Sequence, residues 1–355
     1  MIRLILMGLY SNLKFFKKIL TTNLGFFDPY ELNFAITYRC NSRCTICNIW
    51  REKSENELSL DEIEKITEKI DFIHWVRLTG GEPFLRKDYV QIVKVFKKNL
   101  PDLFILTTPT NGLTPDLILE KVKQVLRFFD KRYVITVSLD GPPKINDKIR
   151  GVKGSWNKAI ETYKKLKTLE EDNKNFKVFF GYTISPDNVG FFKKTVDEVK
   201  KTIPIITADD FHINLFQTSN IYYKNPNQKI DKNYLKRAKK EIEIILKMRE
   251  KKGLISSIEN KYLELGKKYL KTEKIPIKCN VFNLSSFIDP FGNVFPCTIF
   301  DRKLGNLRDN DYDLKKILLS EKAKKVREEI IKENCPQCWT PCEAHQMIIN
   351  NWMKL

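Results

Sequence analysis

The sequence predicts an α/β chain, a partial (β/α)6 TIM-like barrel followed by a small cysteine-rich domain. Two observations predict it. Six short apolar segments alternate with amphipathic stretches between about residues 31 and 216, and the eight cysteines gather after the first segment and again beyond residue 275. At 355 residues, 42% hydrophobic and 12% aromatic, the chain can fill one large core and a smaller one.

The expected strands are ELNFAITY (31–38), IHWVRLT (73–79), DLFILTT (102–108), RYVITVSL (132–139), KVFFGYTI (177–184) and DFHINLF (210–216). All are rich in β-branched and aromatic residues and nearly continuous in apolar character, as parallel strands buried on both faces are. Between them, LSLDEIEKITEKI, KDYVQIVKVFKKNL, TPDLILEKVKQVLRFF, GSWNKAIETYKKLKTLE and FFKKTVDEVKKTI carry a helical period, and Ser59 with Glu62 forms a candidate capping box. Such alternation implies right-handed crossovers and a barrel-like sheet of six units. A Rossmann sheet is the alternative, but no G-x-G-x-x-G follows the first strand. Residues 31–220 thus form the expected core, 221–274 a linker of charged helices, and 275–355 the second domain.

The net charge of +19 permits anionic partners, yet acids interleave with the basic residues and no basic stripe with aromatics appears. No specific nucleic-acid partner is therefore expected. No apolar run reaches the ~20 residues of a membrane span, and Leu4 to Leu13 lacks a signal-peptide cleavage site. A cytoplasmic chain is expected. Residues 1–30 form an N-terminal amphipathic segment. Within residues 1–20 no acid occurs, and Arg3, Ser11, Lys14, Lys17 and Lys18 share one helical side. Such a helix either rests on an anionic inner membrane surface or covers part of the barrel.

Eight sparse, clustered cysteines indicate metal rather than a disulfide scaffold. The three histidines are too scattered to be the main ligands, and His74 and His212 lie in apolar runs as structural histidines do. Cys40, Cys44 and Cys47 form CxxxCxxC in the loop after the first strand. Structural zinc closes with four ligands, and no fourth lies nearby. A [4Fe–4S] cluster that only carries electrons also takes four thiolates. Three thiolates leave one iron open to a small molecule.

This spacing resembles the radical S-adenosylmethionine superfamily, and motifs at the following strand ends strengthen the resemblance over about residues 31–216. LTGGEP (78–83) resembles the family's GGE motif, which implies that Gly80, Gly81 and Glu82 approach the amino group of S-adenosylmethionine. TPTNGL (108–113) implies a role for Asn111 beside the cofactor. SLDGPPKINDKIRG (138–151) implies that Ser138 and Arg150 hold the cofactor's carboxylate, while Asp140 also suits turn chemistry. GYTISPDNVG offers Thr183 and Asn188 for the ribose or adenine. Ile46 departs from the aromatic residue common before the third cysteine, a change in packing beside adenine. The chemistry implied is reductive cleavage of S-adenosylmethionine to a 5′-deoxyadenosyl radical that abstracts hydrogen, with a low-potential donor such as ferredoxin or flavodoxin.

Cys279 and Cys297 flank FIDPFGNVFP, a hairpin turning at Pro290 to Asn293, and NCPQCWTPCEAH adds Cys335, Cys338 and Cys342. Any four of these five could build a structural zinc site. The arrangement also resembles the SPASM/Twitch extension of radical enzymes. With only five cysteines it implies one auxiliary [4Fe–4S] cluster on Cys279, Cys297 and two of the last three. Sulfatase-maturing relatives place an acid beside the hairpin cysteine, where this chain has Thr298. The extension commonly serves peptide or protein modification, and the N-terminal segment makes a lipid, lipid-linked or other small-molecule substrate the alternative. A non-catalytic iron–sulfur electron carrier or scaffold is the reading of another class, and Glu82, Ser138 and Arg150 speak against it.

Overall fold

The computed structural model describes residues 29–250 and 253–351. Six strands, β1 (Glu31–Thr37), β2 (Trp75–Gly80), β3 (Ile105–Thr110), β4 (Arg132–Ser138), β5 (Phe176–Ile184) and β6 (Phe211–Leu215), run parallel in sequence order. Helices α1 (Leu60–Thr67), α2 (Tyr89–Asn99), α3 (Pro115–Leu126), α4 (Pro143–Arg150), α5 (Ser155–Lys167), α6 (Leu169–Asp172) and α7 (Phe192–Lys200) fill the connections. The six expected strands are all present, shifted by at most a few residues. Ser59 accepts from Glu62 N at 3.2 Å while Glu62 accepts from Ser59 N at 2.9 Å, so the capping box forms as expected.

Strand residues alternate between two environments. Phe34 points outward and meets Phe96 of α2 edge to face at 6.0 Å, and Phe180 stacks on Tyr163 of α5 at 4.0 Å. Their neighbours one residue along, such as Asn33 and Phe179, face the inside of the curved sheet and line a cavity. The core therefore sits between sheet and helices, and the concave face is left for a site.

The C-terminal region is not a separate body appended by a linker. Helices α8 (Lys232–Met248) and α9 (Leu254–Thr272) pack together, and α9 also packs on β6. The Tyr262 hydroxyl accepts from Leu215 N at 3.2 Å, and Trp339 Nε1 donates to Tyr262 O at 2.9 Å. After α10 (Val281–Leu284), β7 (Ser285–Ile288) pairs in parallel with β1, placing Glu31 opposite Ser285. The expected hairpin then forms between β7 and β8 (Asn293–Phe295), with β9 (Gly305–Asn306) beyond. The full order is β6-β5-β4-β3-β2-β1-β7-β8-β9. Helices α11 (Leu314–Leu318), α12 (Glu321–Ile331) and α13 (Pro341–Asn350) complete the chain, with α13 packed on α9 and β6. No described helix is long and apolar enough to cross a membrane. The predicted N-terminal basic helix lies outside the described residues.

Candidate functional site

The loop after β1 carries Cys40, Cys44 and Cys47 and is tied down on two sides. Arg43 N and the Ser42 hydroxyl donate to Arg150 O, each at 2.9 Å, and Thr45 N donates to Ile149 O at 2.8 Å. These bonds fasten it to the C-terminal end of α4, a helix absent from the sequence expectation. Gly151 ends α4 at φ +63°, and a side chain there would collide with the Arg43 carbonyl. From the other side, Asn48 N donates to Tyr223 O at 2.8 Å and Asn225 Nδ2 to Ile46 O at 2.9 Å.

All three thiols face a cavity of about 460 Å³ that runs inward along the concave sheet. Burial pushes the Cys40 thiol up to about 11, and burial followed by the charge of Cys44 pushes Cys47 up to about 12. Donors nonetheless approach the sulfurs. Arg150 Nη1 lies 3.7 Å from Cys44 Sγ, the Ser42 hydroxyl 3.3 Å from the same atom, and Asn111 Nδ2 3.9 Å from Cys40 Sγ. Sulfurs with donors directed at them suit thiolates bound to a cation. Among the described residues no three His, Cys, Asp or Glu side chains converge closely enough for a single metal ion. The fit to an iron–sulfur cluster therefore rests on the donor set.

Gly80, Gly81, Asn111, Ser138, Arg150 and Thr183 all line this cavity with the cysteines. Gly80 has φ +124°, and a side chain on either glycine would strike the carbonyls of Thr37 and Arg39, so the turn hugs the cysteine loop. Glu82 is the departure. Its carboxylate is wholly buried and turned away from the cavity, accepting from Asn111 N at 2.7 Å, the Thr110 hydroxyl at 2.9 Å and Phe84 N at 3.3 Å. Burial raises it to about 7. By accepting these three bonds Glu82 braces the β3 turn and positions Asn111.

Arg150 pairs with buried Asp140, whose other oxygen accepts from Thr183 N at 2.8 Å. Burial raises the Asp140 carboxyl and Arg150 opposes that shift. One edge of the guanidinium is thus committed, Nη1 faces Cys44, and Nε has no partner. Asn188 does not reach the cavity. Its Nδ2 donates to Asp140 O at 3.0 Å and Thr183 O at 2.8 Å, while its Oδ1 accepts from Ser185 N at 2.7 Å. It is a brace beneath the site. Ile46 lines the cavity as expected.

Of the five C-terminal cysteines, Cys342 lines the main cavity and the other four do not. Burial raises Cys279, Cys297 and Cys338; Cys335 acts on Cys279, Cys279 acts on Cys297, and all three of the others act on Cys338. Beyond burial, the groups acting on Cys342 are Arg77, Glu343 and Glu31. Thr298, beside the hairpin cysteine, donates through N and Oγ1 to Glu343, each at 3.0 Å.

Several cavity residues escaped the sequence reading, among them Asn33, Arg77, Tyr222, Tyr223, Glu259 and His345. His212 borders the same cavity. It stacks on Phe179 at 4.2 Å and faces the cavity, with burial pushing it down to about 3 and so keeping it neutral. For Asn33, Arg77 and His212 the available signal was a polar residue on the inward-facing positions of otherwise apolar strands.

Comparison with known proteins agrees with this geometry. The model of the Radical SAM superfamily matches residues 34–203, and that of SPASM, an iron-sulfur cluster-binding domain, matches residues 279–342. The chain is 23% identical over 326 residues to the antilisterial bacteriocin subtilosin biosynthesis protein AlbA of Bacillus subtilis, covering 87% of this chain and 65% of AlbA. It is 32% identical over 131 residues to a probable GTP 3′,8-cyclase of Thermococcus kodakarensis, covering 35% of this chain and 39% of that one. Among solved structures, SuiB of Streptococcus suis bound to S-adenosylmethionine superimposes with TM-score 0.58 at 18% identity, over 85% of this chain and 68% of SuiB. Native anSMEcpe with bound AdoMet gives TM-score 0.58 at 13% identity, over 92% of this chain and 98% of that one. The cofactors of this family architecture are a [4Fe–4S] cluster, an auxiliary iron–sulfur cluster and S-adenosylmethionine. The chain belongs to the radical SAM superfamily and carries a C-terminal SPASM iron–sulfur domain.

Proposed function

We propose that this chain is a radical S-adenosylmethionine enzyme that modifies a peptide. The observation that carries the reading is the set of three thiols, Cys44 buried and Cys40 and Cys47 half-buried, that line one cavity on a loop fastened from both sides. Cys40, Cys44 and Cys47 would hold a [4Fe–4S] cluster with one open iron. A reduced cluster held there would supply the electron for reductive cleavage of S-adenosylmethionine, the chemistry that makes hydrogen abstraction possible. The protein's part is orientation and exclusion of water. Gly80 and Gly81 let backbone approach the cofactor, Ser138 and the unpaired Nε of Arg150 take its carboxylate, and Thr183 and Asn111 border it. Glu82 and Asp140 set the positions of Asn111 and Arg150. Cys279, Cys297, Cys335 and Cys338 are the ligands assigned to the auxiliary cluster, leaving Cys342 outside both.

The peptide substrate is supported by relatives whose descriptions concern peptides, namely AlbA in bacteriocin biosynthesis, SuiB with its precursor peptide SuiA, and anSMEcpe with a Cp18Cys peptide. The electron donor is proposed to be a ferredoxin or flavodoxin. From the charge pattern of residues 1–20 we also infer contact with an anionic membrane surface. The test of the activity is anaerobic reconstitution with iron and sulfide, reduction with dithionite, and chromatography for 5′-deoxyadenosine. Wild type should form it slowly even without substrate, and the Cys40, Cys44 and Cys47→Ala variant should form none. Equal yields from both would overturn the proposal.

A further inference from the structure

Deep in the cavity, well behind the cysteine loop, three hydrogen-bond donors share one patch of wall. Asn33 of β1 lies directly opposite Arg77 of β2 in the strand register, and Trp75 precedes Arg77 by two residues, so all three side chains emerge on the same inner face. Each lines the cavity. Asn33 Nδ2, Trp75 Nε1 and Arg77 Nη2 are all buried, and none has a hydrogen-bond partner. Asn33 is 1% exposed. Buried donors without acceptors are rare in folded proteins, and three in register are rarer still.

The patch is also preorganised. The Arg77 guanidinium lies over the Trp75 ring at 4.2 Å and its Nε is held by buried Glu31, so the plane of the fork is fixed on two sides. Glu31 Oε2 also lacks a donor, but it belongs to the carboxylate that Arg77 already holds, and Glu259, a second carboxylate lining the cavity, is paired with Arg249.

We infer that Asn33, Trp75 and Arg77 form a subsite for a carboxylate group of the substrate, an inference that rests on the function proposed above. Three donors require acceptors, and a planar carboxylate offers two oxygens to a guanidinium edge and its neighbours. A carboxamide would turn its own donors against this wall. A doubly charged phosphate would suffer more from the adjacent Glu31. The cofactor's own carboxylate is assigned to Ser138 and Arg150 at the strand ends, whereas Arg77 lies three residues before Gly80, roughly 10 Å deeper along β2. The same cavity presents Phe104, Ile105, Phe179 and Ile258, which would pack the carbon chain bearing the group. The carboxylate belongs either to an acidic side chain of the peptide or to a small free acid.

Equilibrium dialysis against anaerobic holoenzyme with S-adenosylmethionine tests this, using labelled N-acetylglutamate N-methylamide, the matching blocked glutamine, and glutarate. The blocked glutamate should bind at least about tenfold more tightly than the blocked glutamine, as one charge-assisted contact implies. Trp75→Phe, which keeps the ring and deletes the N–H, and Asn33→Leu should each weaken the blocked glutamate about fivefold, a value expected for a lost hydrogen bond. Arg77→Gln is unsuitable alone because it strands Glu31. Glutarate binding as tightly as the blocked residue would support the subsite and assign it to a free acid; binding of the blocked residue alone would assign it to a peptide. Equal binding of glutamate and glutamine forms, no binding of any probe, or unchanged affinity in both variants would overturn the subsite. Formation of 5′-deoxyadenosine in the same preparation separates failure of the subsite from failure of the activity.

Discussion

Arg150→Ala removes the cation that neutralises Asp140, and its cost can be worked from the site. Asp140 is fully buried, and without Arg150 only the Thr183 amide still donates to its carboxylate. Breaking a buried pair by deleting one partner costs about 3–5 kcal/mol. Asp140 can instead take up a proton, which limits the loss. From an ordinary value near 4, neutralising a carboxyl at pH 7 costs about 4 kcal/mol. The variant should therefore lose about 3–4 kcal/mol at pH 7. The sign with pH follows. Removing Arg150 raises the folded-state value of Asp140 further, so the deficit should shrink as pH falls, by up to about 1.4 kcal/mol per unit. Adding Asp140→Asn removes the stranded charge and should restore most of the loss. The assay is urea unfolding of anaerobic holoenzyme at pH 6, 7 and 8 for both single variants and the double variant. An Arg150→Ala deficit below about 1 kcal/mol, the range of an exposed pair, or no recovery in the double variant, would refute the reasoning.

Three further outcomes are expected. Wild type should carry about eight irons per chain, Cys335→Ala about four, and Cys342→Ala still about eight by iron assay, since two cubanes need only seven of these thiols when one iron is open. Glu82, raised to about 7 by burial, contributes stability at low pH that is lost as pH rises from the ordinary carboxyl range through 7. Glu82→Gln should flatten that part of the stability–pH slope, and an unchanged slope in urea titrations would count against its buried placement. If residues 1–20 rest on a membrane, the full chain should sediment with anionic liposomes, weaken as salt screens about 1 kcal/mol per basic residue, and lose binding when truncated near Asn23.

The strands, their order and the cysteine loop were readable because each rests on a local signal, apolar segments of β-branched residues and a fixed thiol spacing. Gly80, Gly81, Ser138 and Arg150 were readable from motifs at strand ends, and all four line the cavity. Motif matching could not show which way a side chain turns. Glu82 turns inward because Asn111 N and the Thr110 hydroxyl offer it donors from a strand 28 residues away. The pairing of β7 with β1 joins residues more than 250 apart and has no local signature. The same holds for α8 and α9, whose charged outer faces suggested a linker although Tyr262 is wholly buried against Trp339. The place of Cys342 in the main cavity was likewise invisible, because C-x2-C-x3-C gives no hint of which way α13 turns its first residues.

The central claim is that Cys40, Cys44 and Cys47 leave a coordination position for S-adenosylmethionine, and electron paramagnetic resonance of the dithionite-reduced holoenzyme tests it most directly. Adding S-adenosylmethionine should change the g values of one [4Fe–4S]⁺ signal in wild type and in Cys335→Ala, and that signal should vanish in the Cys40, Cys44 and Cys47→Ala variant. A spectrum indifferent to S-adenosylmethionine in wild type, or a responsive signal that survives loss of the three cysteines, would contradict the account.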